Sequence, residues 1–158
     1  MAVKAAEAVR MSYRIGRGEQ GVLTFEPYKS DLLPLWRFRT VSIATESAAA
    51  LWERFLQYDV QDDFVGMDMT RKFVQMGMTR AKRYANHKGG RKYDAEGNVK
   101  EKSEHAGRAE KEEASKVFRH VWERCKAHEG YSLKKKAFLE AQRLWTQSEH
   151  KQSSGSDV

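Results

Sequence analysis

DFVGMDMTRKFVQMGMTRAKRYANHKGGRKY, Asp63 to Tyr93, is the stretch that decides the fold. Laid out at about 100° per residue, Val65, Met69, Phe73, Met76 and Tyr84 share one face, with Gly66 and Gly77 beside them. Met67, Val74, Met78 and Ala85 form a second apolar strip. A helix apolar over more than half its circumference belongs at the centre of a fold, and the spacing predicts one from Asp62 or Asp63 to about Ala85. The polar arc left over holds Arg71, Lys72, Lys82 and Arg83, so the exposed stripe of this helix is expected to be basic. The region also carries the charge. Phe64 to Lys100 has nine Lys or Arg against three acids, a net of +6, in a chain of 158 residues and net charge +7.

Working upstream, Thr40 has the character of an N-cap, and Ile43, Ala44, Ala48, Leu51, Trp52, Phe55 and Tyr58 predict an amphipathic helix over 41–59. Before it the texture changes, with glycines at 16, 18 and 21 and then VLTFEPYKSDLLPLWRFRT. Alternation in Val22–Phe25 and in Trp36–Arg39 predicts two strands, and Pro27 and Pro34 exclude a helix interior between them. Downstream, Asn86–Ser103 is a polar loop with Gly89–Gly90 and Gly97–Asn98 as turn signals. Ala114, Val117, Phe118, Val121, Trp122 and Cys125 form another helical stripe, Glu129–Gly130 interrupts it, and Ser132 to about Gln147 resumes. The expectation is one α+β domain over 13–147, mostly helical, with a short N-terminal β-ribbon packed on the central helix. A flexible arm (1–12) and a disordered tail (148–158) would flank it.

Composition narrows the function. No apolar run approaches the roughly 20 residues of a membrane span, and the N-terminus has no apolar core before a cleavage site, so neither a membrane nor a secreted protein is expected. The lone Cys125 leaves no intramolecular disulfide and no Cys-pair zinc site, which points to a reducing compartment: the cytoplasm, or also the nucleus in a eukaryote. The histidines are too irregularly spaced for a metal set, no cofactor motif is complete, and the carboxylates are not paired by spacing for acid–base work. The balance leans toward a binding protein and leaves an enzyme open, with no cofactor and no metal expected.

A concentrated positive field with Phe and Tyr inside it suits nucleic acid or another polyanion. Arg71, Lys72, Lys82 and Arg83 would supply a helical stripe, Lys88, Arg91 and Lys92 a loop, and Tyr93 a ring to stack on bases. A second arrangement starts from IGRGEQGVL, with G-x-G-x-x-G at Gly16, Gly18 and Gly21. A dinucleotide fingerprint needs a helix after it, whereas a strand-like VLTF follows, so a tight turn is the simplest use of these glycines. The alternative is an enzyme or binding protein for a phosphorylated small molecule, with the same turn taking the phosphate. Arg14, Arg17, Lys29 and Arg37 would then converge with Asn86, His87 and Lys88 in one cleft. The discriminating geometry is whether the glycine turn meets His87 in a single concave pocket.

YRIGRGEQGVLTFEPYKSDLLPLWRF (Tyr13–Phe38) and the Asp63–Tyr93 block together resemble a small family, a domain of unknown function found in bacteria, bacteriophages and fungi. The resemblance runs over about residues 13–145, and the chain departs from the family pattern before Tyr13, where its start is Ala-rich. Membership implies a shared fold. It implies no activity and no catalytic residues, because the family carries none that are established.

Overall fold

The computed structural model describes residues 4–87, 90–99 and 105–155. Its helices are α1 (Glu7–Met11), α2 (Tyr28–Leu32) running into a 3-10 turn (Leu33–Leu35), α3 (Val41–Val60), α4 (Phe64–Asn86), α5 (Arg108–Ala127) and α6 (Glu129–Gly155). The only β pairing among the described residues is an isolated antiparallel bridge between Tyr93 and Val99. The expected α+β fold with an N-terminal β-ribbon is overturned: this is an all-α protein. No helix among the described residues is long and apolar enough to cross a membrane.

Side chains explain why no ribbon forms. A strand at Trp36–Arg39 would need a partner strand for its backbone groups. Here Ser47 on α3 donates its hydroxyl to the Leu35 carbonyl (2.6 Å) and accepts from the Arg37 N–H (2.9 Å). The Lys111 ammonium, on α5, donates to the Phe38 and Arg39 carbonyls (3.2 and 2.9 Å). The segment between Met11 and Val22 is held likewise, with the Gln142 amide of α6 donating to the Met11 and Tyr13 carbonyls (2.9 and 2.7 Å). Helical side chains do the work of a neighbouring strand.

The central helix is where the wheel places it. Met67, Met69, Phe73 and Val74 of α4 are fully buried, and α3, α4 and α5 pack against one another along their lengths. Asp63 caps α4, its carboxylate accepting from the Gly66 N–H (3.2 Å) and from the Tyr28 hydroxyl (2.7 Å). Thr40 caps α3 through the Ile43 N–H (3.1 Å). Only Gln61, Asp62 and Asp63 separate α3 from α4, so the two run antiparallel, and Asp62 takes a φ of +56° in the turn. The break before α6 falls at the extended residue His128. Phe64 then meets Tyr131 and Phe138 of α6 at ring distances of 5.4 and 5.1 Å, which seats that helix across the start of α4. α6 remains helical to Gly155, past residue 148 where composition predicts the tail.

Two glycines set how closely α4 approaches its neighbours. A Cβ on Gly66 would lie 2.1 Å from the Tyr58 ring, and one on Gly77 would lie 2.7 Å from the Phe118 ring. Both rings are fully buried. Gly66→Ala should therefore cost about 1–3 kcal/mol by overpacking. At roughly 2–4 °C per kcal/mol for a chain of this size, the melting temperature should fall by several degrees. An unchanged melt would mean that Tyr58 moves freely, against its packing.

Candidate anion-binding cleft

The basic stripe predicted on α4 is the first thing the structure rearranges. Arg71 and Lys72 are buried, with 8% and 0% of their surface exposed, so neither belongs to an outer stripe. The reason is the segment just described. The Lys72 ammonium donates to the Gln20 and Arg14 carbonyls (2.7 and 3.3 Å) and sits 4.6 Å from the Tyr13 ring centroid. Arg71 donates through Nη1 to the Gly18 carbonyl (3.0 Å) and to Gln75 Oε1 (3.0 Å), and through Nε to the buried Asp68 carboxylate (2.8 Å). The polar arc of α4 binds backbone of its own chain.

Asp68 is the anchor of this arrangement. It is fully buried and accepts from Arg71, from the Tyr13 hydroxyl and from the Tyr131 hydroxyl (2.7 Å). Burial and the adjacent Asp68 charge push both tyrosine hydroxyls well above their ordinary range, so both stay protonated as donors. Lys72 moves the other way. Burial lowers its pKa to about 8, against the pull of Asp68 and with a push from Arg71.

The glycine turn gains its shape from these bonds. Gly16 and Gly18 take φ of +65° and +56°, a region that favours residues without a Cβ. The carbonyls of Arg14, Gly18 and Gln20 point at α4, so the planar trans peptides turn the N–H groups of Ile15, Glu19 and Gly21 away from it. Among the described residues those three amides have no acceptor.

Beside the turn lies a cleft of about 640 Å³. Ile15, Gly16 and Gly18 form one wall, Arg71 and Gln75 of α4 with Trp122 and Lys126 of α5 the second, and Tyr131, Lys135 and Lys136 of α6 the third. Four cations line it and no carboxylate does. Arg71 is neutralised from behind by Asp68, whereas Lys126, Lys135 and Lys136 pair with no carboxylate among the described residues. Lys126 lies over the Trp122 ring at 4.2 Å, and the indole N–H donates to the same Gln75 oxygen that holds Arg71 (3.2 Å).

The other expected site residues are dispersed. Lys82 is half-exposed and 3.9 Å from Glu112, while Arg83, Arg91, Lys92 and Tyr93 are exposed and do not line this cleft. Lys88 lies outside the described residues. Arg14 folds back onto the Met11 and Tyr13 carbonyls (3.5 and 3.3 Å), Arg17 and Gly21 are exposed, and Lys29 is half-buried on α2. Arg37 lies beside Arg39, Tyr84 and Lys111 in a separate shallow depression. Asn86 ends α4 and His87 caps it, eleven and twelve residues beyond Gln75 or about 17 Å along the axis, and neither lines the cleft with the glycine turn. Lys126, Lys135, Lys136, Trp122 and Tyr131 are among the lining residues that sequence reasoning does not find.

The chain matches the model of a family described as a domain of unknown function (DUF4385) over residues 3–141, and it belongs to that family. No curated protein and no solved structure matches it.

Proposed function

We propose that this family member binds a phosphate-bearing ligand, with the cleft beside the glycine turn as its seat. Nucleic acid is the polymeric form such a ligand can take. The observation that carries the proposal is a concave site lined by four cationic side chains and, among the described residues, no carboxylate. Cations converging from several walls, with no carboxylate to neutralise them in the cleft, are the arrangement that replaces the hydration of a phosphate group. The exposed cations of the α4 C-terminal half, including Lys82 and Arg83, would add long-range attraction rather than form the seat.

Titration calorimetry with inorganic pyrophosphate tests the seat. The wild-type chain should bind it, and Lys135→Glu with Lys136→Glu should weaken binding at least tenfold. Both positions lie on the outer part of α6, so circular dichroism of the variant should be unchanged. Equal affinity for the two proteins, or no heat with either, removes the proposal.

A further inference from the structure

The cleft is one end of a longer groove. Along α4, Arg71 and Gln75 are succeeded turn by turn by Met78 and Lys82. Along α5, which runs antiparallel beside it, Lys126 and Trp122 are succeeded by Arg119, Ser115 and Glu112. These later residues, with Thr79 and Lys116, line a second cleft of about 310 Å³. The stepping of three and four residues keeps both sets on one side of their helices, so the two clefts lie in line between α4 and α5. Arg71 to Lys82 spans eleven residues, about 16 Å at 1.5 Å per residue.

The second cleft is basic as well. Lys82, Lys116 and Arg119 line it against a single carboxylate, Glu112. That carboxylate faces Lys82 at 3.9 Å and Arg108 at 3.3 Å. Lys116 meets Glu113 at 3.2 Å with both side chains mostly exposed, a pairing weak enough to yield to a phosphate. Glu19 accepts from the hydroxyl of Thr79, itself a lining residue (2.9 Å), so a further carboxylate lowers the field at that wall of the second cleft, and the field rises toward Arg119.

We infer that the groove is a track for single-stranded nucleic acid. This rests on the cleft being a phosphate seat and names the class of ligand. A small phosphorylated molecule fills one cleft and has no use for a second in line with it. A strand presents a phosphate every 3.4 Å or more, so about 16 Å accommodates at most about five nucleotides, within the range of single-strand sites. α4 and α5 are in direct contact at the groove's floor, where the Ser115 hydroxyl donates to the Met78 carbonyl (2.9 Å), so the groove is a surface furrow that one backbone can follow and a duplex would touch only at its rim. Contacts to phosphates read charge and spacing, so binding is largely independent of base sequence.

Fluorescence anisotropy with labelled oligothymidylates of two, five and ten nucleotides provides the test, with pyrophosphate calorimetry alongside. Affinity should rise at least tenfold from two to five nucleotides and little beyond. With about four to five phosphates engaged, log K should fall against log salt with a slope near −3. Lys116→Glu with Arg119→Glu should weaken the five-mer at least tenfold and leave pyrophosphate binding within twofold, while Lys135→Glu with Lys136→Glu weakens both. Pyrophosphate binding without any length dependence would overturn the track and leave the seat standing. Loss of both in the wild-type chain would overturn both. A duplex bound as tightly as a single strand would also overturn the track.

Discussion

Asp68→Asn should lower the unfolding free energy by about 3–5 kcal/mol, the range for removing one partner of a buried ion pair. Three donors converge on this carboxylate with no solvent around them: Arg71 and the hydroxyls of Tyr13 and Tyr131. An amide of the same shape keeps one accepting oxygen, but its NH2 then faces a hydroxyl that has been donating. The tyrosines can rotate their protons to suit. Arg71 has no such freedom, since a guanidinium is always charged and always a donor. It would keep its bonds to the Gly18 carbonyl and Gln75 with its charge uncompensated. Because whole domains are stable by only about 5–15 kcal/mol, the variant should unfold at markedly lower urea. A partner variant isolates the cause: Arg71→Met with Asp68→Asn should cost less than the two single changes added together, by more than about 0.5 kcal/mol. If Asp68→Asn costs under about 1 kcal/mol, the ion pair is solvated and is not the anchor described here.

The limits of sequence reasoning show most clearly at this same anchor. A helical wheel sorts α4 correctly into apolar and polar arcs, and the long helices α3 to α6 are legible for that reason: a 3.6-residue period repeated over many turns leaves little choice. What the wheel does not carry is what the polar arc faces. Arg71 and Lys72 are polar by type yet buried, because the Met11–Val22 segment covers them with carbonyl oxygens. The Trp36–Arg39 alternation misleads for a related reason. Its backbone is satisfied by Ser47 and Lys111, side chains ten and more than seventy residues away, and no local pattern announces them. The cleft is a third case. Each of Lys126, Lys135 and Lys136 looks like a residue on a solvated helix face, and only the packing of α5 on α4 and the close return of α6 after His128 bring them to the glycine turn. That the glycines at 16 and 18 mark a special backbone is legible in the sequence; its partners are not.

Lys72 gives the second large effect, and it is read through pH. With an ordinary value of 10.5 and a folded value of about 8, this ammonium binds its proton less well in the native state than in the unfolded chain. The folded protein therefore carries fewer protons between those limits, and stability contributed at this site rises with pH across the window instead of falling. At neutral pH the buried charge costs about 3 kcal/mol, from a shift of roughly two and a half pH units at 1.36 kcal/mol each. Other groups oppose the trend. Burial pushes Cys125 from 9.0 to about 12 and raises the buried tyrosines further, so above pH 9 the unfolded chain ionises first and the fold weakens. Comparison with Lys72→Met cancels those contributions, since both proteins share them. Met fills the space without charge or donors, and the stability gap should move by about 1 kcal/mol in favour of the wild-type chain between pH 7 and pH 9. The variant also loses the bonds to the Arg14 and Gln20 carbonyls, so amide hydrogen exchange across residues 14–22 should accelerate even where global stability is equal. A gap that stays flat with pH would place Lys72 in water, and an unchanged exchange pattern would mean that the glycine turn holds its shape without it.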